Sequence, residues 1–127
     1  MKSFFVSGKP IPQGSMRVFN GHIVHNKTTE LRAWREKIVW AAKIAKVELS
    51  LEPIHLTLAF TLEKPKSVKR LRPTVPPDLD KLIRNCGDAL TGIAWKDDSQ
   101  IVQITSIKVY GPNPGVEISI SEVLDTD

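Results

Sequence analysis

The sequence predicts an α+β fold: a mixed β-sheet with two helices packed on it, in the order β-α-β-α-β-β, within a single domain spanning residues 1–127. Three observations lead there. Three stretches rich in β-formers alternate apolar and polar residues, two others place apolar residues three and four apart, and no repeat or linker divides a length that suits one core.

The elements follow in chain order. SFFVSG (3–8) is a short apolar run that suits a buried strand. KPIPQGSMRVFNG (9–21) is punctuated by Pro and Gly and predicts a loop, and HIVH (22–25) a short edge strand. Leu31, Trp34, Ile38, Ala41 or Ala42, and Ala45 keep helical spacing and predict a helix over 28–46, with Arg32, Arg35, Lys43 and Lys46 on its other face. IHLTLAFTLE (54–63) alternates and predicts a strand, and KPKSVKRLRPTVPP (64–77) a basic, Pro-rich loop. DLDKLIRNCGDAL (78–90) returns to helical spacing through Leu79, Leu82, Ile83, Cys86 and Leu90, with Gly92 placed to end the helix. IVQITSIKVY (101–110) and VEISISEV (116–123) flank the turn GPNPG (111–115) and predict a closing hairpin. Trp34, Trp40 and Trp95 are expected in the core, as is Cys86, a small hydrophobe on the apolar stripe.

Composition excludes several classes. No stretch approaches the roughly 20 apolar residues that cross a bilayer, so no membrane association is expected. MKSFFVSGKP is too short an apolar run for a secretory signal, and a lone cysteine forms no internal disulfide, so the expected setting is a reducing cytoplasm. The net charge of +4 is divided unevenly: residues 1–72 carry +9 and residues 73–127 carry −5. A basic half suits a polyanionic partner. An acidic half would repel that partner unless cations sit in it.

The acidic residues concentrate at Asp78, Asp80, Asp88, Asp97 and Asp98. Pro76-Pro77 forces the second helix to start just after it. Asp78 is then the N-cap, with its carboxylate over the free backbone N–H groups, and Asp80 lies in the first turn, where the helix dipole favours negative charge. Asp80, Arg84 and Asp88 follow one another at i, i+4 and i+8 and predict a polar row opposite the apolar stripe. Asp97 and Asp98 suit a turn. If the strand from Ile101 runs back beside the helix, Asp98 closes on Asp78 and Asp80. Three converging carboxylates need a cation, since two like charges about 4 Å apart cost on the order of 4 kcal/mol at an effective dielectric near 20. Hard oxygen donors suit Mg²⁺ or Mn²⁺, and no Cys/His set with zinc spacing exists here. Such an ion facing a basic surface suits phosphodiester chemistry, and Arg84 is placed to neutralise charge building on a phosphate.

The spaced set D78-L-D80, R84, D88-A-L-T-G and D97-D98-S-Q resembles the RusA-type Holliday-junction resolvases of bacteria and phages, whose signature is D-x-D-N-x-x-K, then D-A-L, then D-D-x-Q. The early GKPIPQGSMR is similar to the Pro-rich N-terminal loop of many phage members. The resemblance implies a homodimeric endonuclease that cuts four-way and branched DNA with Mg²⁺ or Mn²⁺. Paired symmetric nicks would be made by metal-activated water in line with the scissile bond. By motif position Asp78, Asp80 and Asp98 would be the metal-binding catalytic carboxylates, and Asp97 the less central member of its pair. Two positions depart from the signature: Arg84 stands for the lysine and Lys81 for the asparagine. Arg keeps the charge but does not donate a proton near neutral pH, so Arg84 fits phosphate clamping, with Lys81 supplying a compact ammonium. Pro77 stands where the family often has a basic residue.

The expected DNA surface is Lys64, Lys66, Lys69, Arg70 and Arg72, with Lys81 and Arg17, and with Arg32 and Arg35 as extensions. Phe19 suits core packing or stacking on DNA, and His22, His25 and His55 show no partner pattern. Two other classes compete: a non-catalytic junction-binding protein in which Arg84 and Lys81 mark lost activity, and an interaction protein whose carboxylates are only caps and turns.

Overall fold

A computed structural model describes the backbone at residues 1–14, 16–19, 22–25 and 28–124, and side chains within those ranges except from 16 to 28. The elements are strands β1 (Lys2–Ser7), β2 (Met16–Phe19) and β3 (His22–His25), helix α1 (Thr28–Ile44), strand β4 (Ile54–Leu62), helix α2 (Leu79–Leu90), and strands β5 (Ile101–Tyr110) and β6 (Gly115–Glu122). β2 and β3 form an antiparallel pair of their own. β2 falls inside the stretch expected as loop, and its four residues are too few to show alternation.

The main sheet has the order β1-β6-β4-β5 and is mixed, as expected. β4 and β5 are parallel, joined by α2 as the crossover, while β6 is antiparallel to both β1 and β4. The predicted hairpin of the last two strands is therefore corrected: β4 lies between β5 and β6. Residues 111–114 step over the end of β4 instead of turning back. The Gly111 N–H donates to the Leu62 carbonyl at 3.0 Å, and Gly115 then pairs with Thr61 on one side and Ser7 on the other. At Gly115 the approach is so close that a Cβ would stand 2.3 Å from the Val6 carbonyl oxygen.

Both helices pack on one face of the sheet. Alternation on β4 points Ile54, Leu56, Leu58, Phe60 and Leu62 into the core, where they meet Phe4, Val6, Val116, Ile118 and Ile120 from neighbouring strands. α1 brings Trp34, Ile38 and Ala42, and α2 brings Leu82, Cys86, Ala89 and Leu90. Truncating a fully buried Leu82 to Ala costs about 3 kcal/mol on this pattern. Trp34 and Trp95 are buried as expected, but Trp40 is 66% exposed. Two residues past Ile38 turns a helical side chain about 200°, so the spacing that buries Ile38 exposes Trp40. Among the described residues no helix is long and apolar enough to cross a membrane.

Candidate functional site

The acidic helix starts where the sequence places it. Asp78 is the N-cap residue of α2, with extended backbone (φ −71, ψ 136), and its carbonyl accepts from the N–H groups of Lys81 and Leu82 at 3.2 and 3.1 Å. Its carboxylate, however, makes no capping hydrogen bond; it lies 3.9 Å from the Lys81 ammonium. The expected side-chain cap is therefore absent, and an exposed pair of carboxylates, Asp78 and Asp80, stands at the positive end of the helix dipole.

The segment before Asp78 is anchored from β5. Lys108 shares a sheet face with buried Phe60, its partner on β4, and its ammonium donates to the carbonyls of Val75 and Pro77 at 2.9 and 2.8 Å. A lone lysine where alternation leads inward was the signal for this role, and the sequence reading missed it. Beside this anchor opens a cavity of about 650 Å³, lined in part by Pro10, Leu62, Arg70, Pro76, Pro77 and Tyr110.

The expected row of Asp80, Arg84 and Asp88 does not form ion pairs along itself. Asp88 pairs instead with Arg35 of α1 at 3.1 Å. Arg35 also donates from Nε to Asn85 Oδ1 and from Nη2 to Gln13 Oε1 at 2.7 Å. Asn85 is fully buried on the apolar side of α2 and donates from Nδ2 to the Ile11 carbonyl at 2.9 Å, while the Gln13 N–H donates to the Lys81 carbonyl at 2.9 Å. Arg35 is thereby a fastener for α1, α2 and the Pro-rich loop. Asp80 and Arg84 are exposed, with no hydrogen bond or ion pair to another described residue.

The second acidic motif is built as a turn. Asp98–Gln100 form one turn of 3-10 helix. The Asp97 carboxylate accepts from the Ser99 N–H at 3.0 Å, and Gln100 Oε1 accepts from the N–H groups of Lys96 and Asp97, both at 2.9 Å. This reciprocal arrangement is a capping box. Gln100 Nε2 donates in turn to the carbonyls of Ser50 and Glu52, fixing the turn to the entry of β4. The Ser99 backbone and side-chain hydrogen bonds hold the Asp97 carboxyl below its ordinary value. So Asp97 and Gln100 shape the turn that presents the exposed Asp98.

The expected convergence of Asp78, Asp80 and Asp98 is not met within one chain. β4 and β5 are parallel, with Ile54 opposite Ile101 and Leu62 opposite Tyr110. Asp98 sits at the Ile54 end, whereas Pro77 and Asp78 sit at the Lys108 end. α2, 12 residues long, runs between the two ends, and at about 1.5 Å per residue that is about 18 Å. A crossover helix runs against its strands, so its start and the following strand's start are necessarily apart. Among the described residues no three His, Cys, Asp or Glu gather into a metal-holding group.

Lys64, Lys66, Lys69, Arg70 and Arg72 are all exposed and lie on the connection from β4 to α2, at the same end of the sheet as Asp78 and Asp80. Lys81, half exposed, lies one helical turn in. The Arg17, Phe19, His22 and His25 side chains lie outside the described residues. His55 Nε2 is within 2.9 Å of the Thr105 hydroxyl, a satisfied structural position. Cys86 is buried, and desolvation pushes its thiol up to about 12.

Against this geometry stand two comparisons. A model of the family "Endodeoxyribonuclease RusA" matches residues 7–121. The chain is also similar to "Uncharacterized protein YqaN" of Bacillus subtilis (strain 168), with 30% identity over 135 residues, covering 94% of this chain and 95% of the relative.

Proposed function

The chain belongs to the RusA endodeoxyribonuclease family, and on that premise we propose that it resolves four-way DNA junctions by paired symmetric nicks, as a metal-dependent homodimer acting through one domain over residues 1–127. The supporting observation is the meeting, at one end of the sheet, of the exposed Asp78–Asp80 pair and the basic connection 64–72. The basic residues hold the phosphate backbone, and the carboxylates receive the scissile phosphate.

The donor chemistry fits a hard divalent ion: Asp78 and Asp80 offer exposed oxygens that the fold does not consume in capping. Two carboxylates are too few for the three-aspartate set, and the third, Asp98, comes in this reading from a second copy. Mg²⁺ or Mn²⁺ held there would supply a Lewis acid for phosphodiester hydrolysis. Arg84, one turn after Asp80 and exposed, holds phosphate as a permanent cation, and Lys81 adds a second positive charge beside Asp78.

The test is nicking of a four-way junction with Mg²⁺ by wild type, Asp80→Asn, Asp98→Asn and a mixture of the two variants. Each variant alone is expected to be inactive. In mixed dimers one of the two sites keeps Asp78 and Asp80 from one chain and Asp98 from the other, so single-strand nicks return. Failure of the mixture, with both parents folded and exchanging subunits, overturns the shared site. Tight junction binding by wild type without nicks supports the non-catalytic reading, which the Arg84 and Lys81 replacements favour.

A further inference from the structure

We propose that the cavity beside the Lys108 anchor is a nucleobase pocket, which takes one base out of the stack at the branch point and holds it next to the phosphate received by Asp78 and Asp80. This rests on the reading above, in which branched DNA is the substrate, and it adds how the branch is recognised.

The walls come from three parts of the chain: residues 7–10, the connection from β4 to α2, and the step from β5 to β6. Six of the lining residues are proline. Proline has no N–H and a fixed φ, so such a wall is apolar and loses little freedom when an occupant arrives. Its carbonyls are largely taken up. Those of Val75 and Pro77 accept from the Lys108 ammonium, and that of Pro114 accepts from the Gly8 N–H at 3.0 Å. Leu62, buried, and Tyr110, opposite it on the ladder of β4 and β5, complete the apolar surface. The polar side chains are few: Lys9 and Arg70 are exposed cations, and Glu63 is the carboxylate. The Tyr110 hydroxyl is shut off from solvent and has no hydrogen-bond partner among the described residues. Buried phenol oxygens ordinarily find one, so the wall keeps a polar group in want of a partner. At about 650 Å³ the cavity falls within the range of about 300–1,000 Å³ common for small-molecule sites. A nucleobase matches this lining: its flat π-face stacks on rings and its edge offers donors and acceptors.

Position selects a base of bound DNA over a free ligand. Arg70 belongs both to the cavity lining and to the basic 64–72 connection, so the surface that holds phosphates runs into the pocket. Pro77, in the wall, immediately precedes Asp78, and adjacent Cα atoms lie about 3.8 Å apart. A nucleotide with its phosphate at Asp78 and Asp80 therefore has its base within reach of the wall. Extruding a base costs pairing and stacking, and the cost is least where the base is already unpaired. Strands exchange partners at a branch point and stacking is interrupted there, so a base is yielded more readily than within a duplex. The pocket thereby separates branched from plain DNA, which phosphate contacts alone do not.

Four-way junction binding with Ca²⁺ in place of Mg²⁺ tests this, one base being removed in turn to leave an abasic site at each position beside the branch point. Wild type is expected to bind at least tenfold more weakly when the abasic site falls at one particular position, and as before when it falls elsewhere. Val75 is 44% exposed, so Val75→Trp fills the cavity from an open position, and Val75→Phe is a second blocking variant. Circular dichroism confirms that each folds. Both are expected to bind the intact junction at least tenfold more weakly, to bind intact and abasic junctions alike, and to bind plain duplex as wild type does. Wild type that binds every abasic junction like the intact one overturns the pocket, as do folded blocking variants that still discriminate. Either result leaves the nuclease reading to its own nicking assay. Wild type that binds no junction overturns that reading, and the pocket with it.

Discussion

The Lys108 ammonium donates to the Pro77 carbonyl oxygen at 2.8 Å, so a strand on the sheet's edge positions the residue immediately before Asp78. Replacing Lys108 by Met keeps the aliphatic stem and removes two charge-assisted hydrogen bonds, a loss of about 2 kcal/mol. Native-state hydrogen exchange is expected to quicken at Lys81 and Leu82, whose N–H groups donate to the Asp78 carbonyl, before the rest of α2 is affected. Unchanged protection there would show that the proline segment holds itself.

Arg35 is the second fastener. Arg35→Met leaves buried Asn85 with an unpaired acceptor and frees Gln13 and Asp88 together. The expected cost is about 2–3 kcal/mol, read as a lower denaturant midpoint with an unchanged slope. Cleavage by a protease in the 8–14 loop is expected to rise in parallel. Arg84→Met, which breaks no such contact, is expected to leave the midpoint where it is.

Acid stability carries the signature of Asp97. Its folded value lies below the ordinary 3.8, so the unfolded chain takes up the proton first as pH falls. The stabilisation is therefore complete above 3.8 and is lost as pH drops through the lower folded value. Asp97→Asn is expected to flatten that part of the pH–stability curve, and Asp98→Asn to leave the Ser99 N–H contact in place. The two curves, measured by urea unfolding between pH 2 and 6, separate the turn-builder from the exposed carboxylate.

Cys86 is expected to resist thiol reagents. Buried, and with its thiol raised to about 12, it holds almost no thiolate at pH 8. Labelling in the native protein is expected to proceed only at the rate of opening, and fully in denaturant. Rapid native labelling would contradict the packing of α2 on the sheet.

Salt dependence reports the basic connection. If Lys64, Lys66, Lys69, Arg70 and Arg72 each neutralise a phosphate, every one replaced by Ala lowers the slope of log affinity against log salt by about 0.9. Junction binding measured at several salt concentrations checks this residue by residue. A slope that stays constant on replacement assigns that side chain to solvent.

Local pattern made most elements legible. The alternation of Leu56, Leu58 and Phe60, and the three-four spacing of Trp34, Ile38 and Ala42, announce their own partners because burial imposes a period. The spacing of Asp78, Asp80, Asp97 and Asp98 likewise exposed a family motif. What stayed hidden depends on tertiary placement. No local signal distinguishes a hairpin at 111–115 from a step across β4, because the same Gly and Pro residues serve both. Nor does a linear motif disclose that a crossover helix separates its two acidic halves. Asn85 offered a faint clue, as a polar residue amid Leu82, Cys86 and Ala89, and Lys108 a similar one on its strand.

β6 lies between β1 and β4, though it is the latest strand in the chain. The ladder joining Lys2 to Ile120 closes nearly the whole described chain into one loop, so assembly must wait for the most distant contacts and should be slow for a protein of this size. A nascent or truncated chain ending before Gly115 would hold β1 without a neighbour and β4 half bare, an aggregation-prone intermediate for chaperones to shield.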